Sequence, residues 1–101
     1  MPTKKQLESE FAADLKEELK RRFPGCFIYK MDPLQVQGIP DLLVLYRGSW
    51  ALLETKRAFG SAKQPNQDHY VEKMNELSFS AFINPQNCDE VLDALQTAFR
   101  V

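Results

Sequence analysis

The 101-residue sequence predicts an α/β fold, a mixed central sheet with helices on both faces. Three observations predict it. Residues 4–22 carry apolar side chains at helical spacing. Residues 38–56 hold two apolar runs on either side of an Arg47-Gly48-Ser49 break, which is a hairpin signal. Residues 52–83 read as strand, helix, strand, and that segment permits a parallel crossover. The hairpin runs, Leu42-Leu43-Val44-Leu45 and Ala51-Leu52-Leu53, lack polar alternation. Both are therefore expected to be buried on both faces, which requires helices above and below.

The elements follow in order. Thr3 is a candidate N-cap for the first helix, and Pro24-Gly25 ends it. Its apolar stripe is Leu7, Phe11, Leu15 and Leu19, with Ala12 and Phe23 beside them. Glu8 falls inside that stripe. Two readings of Glu8 stand side by side. An acid in a first turn is favoured by the helix dipole, and an acid on an inward face can serve a site. Residues 26–31 read as the first strand, and Asp32-Pro33 opens a loop that runs to Gly38. Gln35 and Gln37 in that loop are placed to touch a ligand. Pro40 stiffens the entry to Asp41. Residues 64–77 read as the second helix, with Pro65 near its first position and Tyr70, Met74 and Leu77 as its apolar stripe. Phe79–Ile83 reads as a fourth strand. Asn87 or Asp89 caps a last helix that turns Val91, Leu92, Leu95 and Phe99 inward.

Length suits one domain over residues 1–101 with one modest core. A net charge of −1 argues against a surface that grips nucleic acid all round, but allows a local basic groove. No apolar stretch approaches the roughly 18 residues of a membrane span. The charged N-terminus does not resemble a signal peptide, so the expected location is the cytoplasm. Cys26 and Cys88 have no metal-type spacing and read as reduced, buried thiols. One histidine, His69, leaves little room for zinc clusters or Ser-His-Asp chemistry.

The chemistry lies in the hairpin. If Arg47 and Gly48 are the two turn residues, Tyr46 pairs with Ser49 and Asp41 lies opposite Glu54. Directly opposed residues have Cβ atoms about 5 Å apart. Glu54 and Lys56 share a strand face. Two close carboxylates repel, and a hard divalent cation such as Mg²⁺ or Mn²⁺ resolves the conflict. Lys56 beside them is placed to orient a water or to offset developing negative charge. Glu-Thr-Lys alone is a common surface pattern. Its position at the end of an apolar strand is what gives it weight.

These residues resemble a family. Gly38-Ile39-Pro40-Asp41, then Glu54-Thr55-Lys56 after twelve intervening residues, resembles the PD-(D/E)xK nuclease superfamily. More narrowly, the chain looks like a VRR-NUC (virus-type replication-repair nuclease) domain over nearly its whole length. Glu8-Ser9-Glu10-Phe11-Ala12 looks like the family's opening segment. Gln67, in Gln64-Pro65-Asn66-Gln67, looks like the glutamine that opens its next helix. The resemblance implies a restriction-endonuclease-like core of order αβββαβα. It also implies a Mg²⁺- or Mn²⁺-dependent endonuclease acting on branched DNA such as Holliday junctions or flaps.

By the same resemblance, Asp41 and Glu54 are metal ligands and the Thr55 backbone carbonyl completes the protein's share. Glu8 binds the metal directly or through water, with Glu10 as the alternative, and helical geometry favours Glu8. Lys56 positions the attacking water, and Gln67 supports the site or the substrate backbone. Lys30, Arg47, Arg57 and Lys63 are candidates for phosphate contacts. Stand-alone domains of this size look like phage-encoded versions, which would work in the host cytoplasm. Junction resolvases of the superfamily cut as two-fold dimers, so a homodimer is expected. The rival reading is a non-catalytic module that keeps the fold and binds nucleic acid or protein. The intact acids and lysine weigh against it.

Overall fold

The computed structural model describes residues 4–58 and 61–101, with side chains from residue 9 onward. Its elements are α1 (Lys4–Arg22), β1 (Phe27–Lys30), β2 (Leu42–Tyr46), β3 (Ser49–Thr55), α2 (Gln67–Leu77), β4 (Phe79–Ile83) and α3 (Cys88–Phe99). The strands form one mixed sheet in the order β1-β2-β3-β4. The first three are antiparallel, and β3 pairs in parallel with β4. A strand–helix–strand crossover through α2 makes that parallel pair possible.

The hairpin turn fixes the register. Arg47 and Gly48 both have positive φ, 48° and 80°, as a two-residue turn with the twist of the flanking strands requires. Tyr46 therefore pairs with Ser49, and the ladder continues to Leu42 opposite Leu53. Extending it by one step brings Asp41 opposite Glu54, and by two steps Pro40 opposite Thr55.

One sheet face carries the core. Leu42, Val44, Tyr46, Ala51, Leu53 and Ile83 pack with Phe11, Leu15, Leu19 and Phe23 of α1 and with Val91, Leu92, Leu95 and Phe99 of α3. At the turn end of the sheet, Phe23 meets Tyr46 and Phe99 edge-on, each at 5.4 Å. Arg22 ties the two helices together. It donates to Asp93 at 2.7 Å and Gln96 at 2.8 Å while it also pairs with Glu18. Leu52, Glu54 and Ser80 are buried outside that core. They lie on the other face, where α2 packs along β3 and β4.

Several local expectations are corrected. Of the two hairpin strands, β3 is buried on both faces but β2 is not. Leu45 is 42% exposed, and on β1 Phe27 and Tyr29 are 58% and 54% exposed. The cover supplied by α2 stops at β3, so the second face lies open at β1 and β2. Helix α2 begins at Gln67 and not at residue 64, because Asn66 takes a left-handed conformation with φ 69°. Pro65 thus belongs to a turn closed by the Gln67 N–H on the Gln64 carbonyl, 3.3 Å. Leu77, placed in the apolar stripe of α2, is 63% exposed at its C-terminal end. Asn87 holds the N-cap position of α3, but its side chain accepts the Asn84 N–H at 2.8 Å and does not cap its own helix. Asp89 sits in the first turn. Cys26 and Cys88 are free thiols, only partly buried, and burial raises the pKa of both. Thr3 lies outside the described residues.

Candidate metal centre

A cleft of about 420 Å³ opens where β3 ends. Phe11, Asp41, Glu54, Thr55, Lys56, Arg57, Ser61, Ala62, Gln64 and Gln67 line it. Four separate segments meet there: α1, the entry to β2, the end of β3 with its loop, and the start of α2.

Asp41 is fixed by Thr55. Its Oδ1 accepts the Thr55 backbone N–H at 3.0 Å, and its Oδ2 accepts the Thr55 hydroxyl at 2.5 Å. The Asp41 carbonyl in turn accepts the Met31 N–H at 2.8 Å, so the residue is tied to β1 as well. Pro40 explains part of this arrangement. Opposite Thr55 it has no N–H to donate, so the antiparallel ladder ends and the Thr55 carbonyl has no ladder donor.

Glu54 is the anomaly of the site. Its side chain is only 8% exposed. Burial raises its pKa first and the Asp41 charge second, to about 7, with Lys56 and the Asp41 backbone offsetting only part of the rise. The ammonium of Lys56 lies 3.9 Å from Glu54 Oε2, too far for a hydrogen bond. Lys56 Nζ donates instead to Gln67 Oε1 at 2.7 Å and to the Ala62 carbonyl at 3.1 Å. The same Gln67 oxygen accepts the Gln64 N–H at 2.9 Å. Gln67 is the buried residue of α2, and its side chain closes the turn before the helix while aiming the lysine.

The cleft thus gathers Asp41, Glu54, Thr55, Lys56, Arg57 and Gln67 from the sequence-derived set. The side chain of Glu8 lies outside the described residues. Phe11, three residues further along α1, is in the lining. Glu10 is exposed and does not line the cleft. Lys63 stands beside the cleft, paired with Asp68 at 2.7 Å and over the Phe82 ring at 4.6 Å. Lys30 is exposed on the edge strand. Arg47 does not converge. It packs over Tyr46 at the turn, six strand residues or roughly 20 Å from Asp41. Two contributors escaped the sequence reading: the Thr55 hydroxyl that holds Asp41, and the Ala62 carbonyl that holds Lys56. Alternation of side chains marked Thr55 as facing away from Glu54. Only the backbone direction set by Pro40 would have pointed to it.

Among the described residues, no group of three or more His, Cys, Asp and Glu side chains converges. The described donors are two carboxylates and one main-chain carbonyl, all oxygen, which is the chemistry of hard cations.

No family model matches the sequence, and no curated protein matches it. The fold does match a solved structure described as a VRR_NUC domain, with a TM-score of 0.70 at 22% identity. The likeness covers 86% of this chain and 95% of that chain. At such identity the likeness establishes the fold, and function rests on the site.

Proposed function

We propose that this chain, which carries the VRR-NUC fold, is a single nuclease domain that hydrolyses DNA phosphodiesters with Mg²⁺ or Mn²⁺ and prefers branched DNA such as Holliday junctions or flaps. The observation that carries the reading is the opposition of Asp41 and Glu54 in one cleft beside a lysine held by a buried glutamine. The αβββαβα order reads as a restriction-endonuclease-like core, and the cleft opens where its third strand ends.

Asp41, Glu54 and the Thr55 carbonyl would hold the cation, with Glu8 of α1 completing the shell directly or through water. When bound, such a cation polarises the phosphate and lowers the pKa of an attacking water. The chain's own residues do the rest. Thr55 keeps both oxygens of Asp41 directed, so no reorientation is needed when substrate arrives. Lys56 donates to the attacking water and offsets charge that develops on the phosphate oxygens. Gln67 and the Ala62 carbonyl fix that ammonium before substrate binds. Arg57 and Lys63 at the cleft, and Lys30 on the edge strand, contact the DNA backbone and add salt-dependent affinity without base specificity.

Resolving a four-way junction needs two symmetry-related cuts, and we infer that the chain acts as a homodimer. Phe27 and Leu45, paired across β1 and β2 and both exposed, offer an apolar surface to a second copy. Among the described residues no helix is long and apolar enough to cross a membrane, and the expected place of action is the cytoplasm.

The test is cleavage of linear duplex, flap and four-way junction DNA with Mg²⁺, with Mn²⁺ and with chelator, for wild type and Lys56→Ala. Cleavage of junctions and flaps that needs both the cation and Lys56 is expected. Activity that survives chelator or the Lys56 change would overturn the mechanism. Equal cleavage of linear duplex would overturn the branched preference.

A further inference from the structure

We propose that the segment joining β1 to β2 captures one unpaired nucleobase, in the apolar pocket lined by Tyr29, Met31, Asp32, Gln35, Val36 and Ile39. The inference rests on the reading of the chain as a DNA nuclease and adds a second contact to it.

The pocket measures about 280 Å³. That is just below the usual range for drug-sized ligands, roughly 300 Å³ and above, and suits a single ring system. Its walls are apolar, apart from Asp32 and Gln35. Tyr29 is 54% exposed and stacks on Phe27 with an interplanar angle of 16°. A rigid aromatic face that meets water is a platform on which a base can stack. Asp32 and Gln35 supply the acceptors and the donor that the edge of a base needs. Lys30 lies between Tyr29 and Met31 in the chain and is exposed, but alternation directs it to the opposite sheet face, so the pocket reads the base and not the phosphate. An exposed aromatic face beside edge donors and acceptors fits a nucleobase better than an apolar peptide.

The segment is ordered by its own bonds. The Asp32 carboxylate accepts the Leu34 N–H at 2.9 Å, and the Asp32 carbonyl accepts the Gln35 N–H at 3.3 Å. The Ile39 N–H closes on the Val36 carbonyl at 3.2 Å. Leu34 at the tip of the segment is 91% exposed. The segment that lines the pocket also adjoins the metal centre. Met31 donates to the Asp41 carbonyl at 2.8 Å, and Ile39 precedes Asp41 by two residues. A base held here belongs to a nucleotide near the cut. Duplex bases are stacked and paired, whereas a branch point supplies an unpaired one at low cost. The pocket therefore gives the site a reason to prefer branched DNA.

The test measures binding, separately from cleavage. Full-length Lys56→Ala protein is titrated with Mg²⁺ against flap DNAs, each carrying one abasic nucleotide at a different unpaired position beside the branch. Fluorescence anisotropy gives the affinities. At one position, loss of the base is expected to weaken binding about fivefold to tenfold. Adding Tyr29→Thr or Val36→Met, which remove the platform or fill the pocket, is expected to erase that difference without changing the sedimentation mass. Base-independent binding at every position overturns the capture, as does a difference that survives both variants. A changed mass in those variants also overturns it, because a second copy then covers this face. Absence of DNA binding overturns both readings. Base-dependent binding without Mg²⁺-dependent cleavage by wild type leaves the capture standing and removes the nuclease.

Discussion

Gln67 Oε1 sits 2.7 Å from the Lys56 ammonium, while Glu54 Oε2 is 3.9 Å away. The lysine is therefore aimed by a neutral amide and not by the acid two residues before it. That amide oxygen also accepts the Gln64 N–H that closes the turn into α2. Replacing Gln67 by Ala leaves a buried ammonium and a backbone donor short of one acceptor. The expected cost is about 1–3 kcal/mol of stability. Activity is expected to fall about tenfold to a hundredfold, in kcat more than in KM, because DNA contacts elsewhere are kept. Cleavage kinetics with a thermal melt check both. A variant that melts lower but cleaves normally would assign Gln67 to the turn alone.

Glu54 makes metal-free stability depend on pH. Its folded pKa is raised from 4.5 to about 7 by burial and by Asp41. Between those values the folded chain binds more protons than the unfolded one, so stability falls as pH rises through that window and then levels off. Glu54→Gln removes the loss. In chelator, the variant is expected to exceed wild type by about 3 kcal/mol above the folded pKa. It should match wild type below the unfolded pKa. Mg²⁺ should raise the melting temperature of wild type more than that of the variant. Denaturant titrations across the pH range measure the difference. Equal pH dependence in the two proteins would refute the coupling.

Thr55 tests whether Asp41 must be held. Thr55→Val keeps the β-branched shape and the backbone N–H but loses the hydroxyl that bonds Asp41 Oδ2 at 2.5 Å. Outer partners of metal ligands typically matter by about 10–100-fold in metal affinity or activity. We expect Mn²⁺ affinity, followed calorimetrically, to fall within that span, with a stability change of about 1 kcal/mol. Unchanged affinity would show that Asp41 is positioned by the backbone alone.

The parts of this site that were legible in the sequence share one property: they depend on local geometry. Two residues with positive φ at Arg47 and Gly48 fix the index sum of the hairpin, and that sum alone sets Asp41 against Glu54. Apolar runs around Glu54 announced its burial. What stayed hidden depends on longer-range cover or on backbone direction. Leu43 and Leu45 look like core, yet α2 packs mainly on β3 and β4, and residue type does not reveal where a helix stops. Pro65 carries the signal of a helix start, but Asn66 turns left-handed and delays the helix to Gln67. The hydroxyl of Thr55 belongs to the site because its backbone points toward β2, a consequence of register rather than of side-chain type.

The open apolar pair tests the dimer. Phe27 is 58% exposed and Leu45 42% exposed, opposite each other on the uncovered face. Leu45→Glu adds a charge where water already reaches, so the fold should lose less than about 1 kcal/mol. Buried between two copies, the same charge would be costly. Sedimentation is expected to report a dimer for wild type and a monomer for the variant, and junction cleavage should fall with the mass. A wild-type monomer that cuts junctions in two symmetric places would refute the dimer.

Gly38 links the loop before Asp41 to the turn before Gln67. It has a φ of 90°, and an added Cβ would lie 2.7 Å from the Pro65 carbonyl oxygen and from the Asn66 main chain. Two costs combine in Gly38→Ala. Backbone strain at positive φ costs about 1–3 kcal/mol, and crowding against main-chain atoms adds about 1–3 kcal/mol. The neighbour is backbone, so it yields only if the turn at residues 64–67 moves. That turn carries Gln67 and, through it, Lys56. The substitution is therefore expected to lower stability by roughly 2–6 kcal/mol and to reduce cleavage even at temperatures where the protein stays folded. A second-site change that restores stability far from the cleft should not restore activity. If it does, the contact serves only the fold, and the alignment of Lys56 does not depend on Gly38.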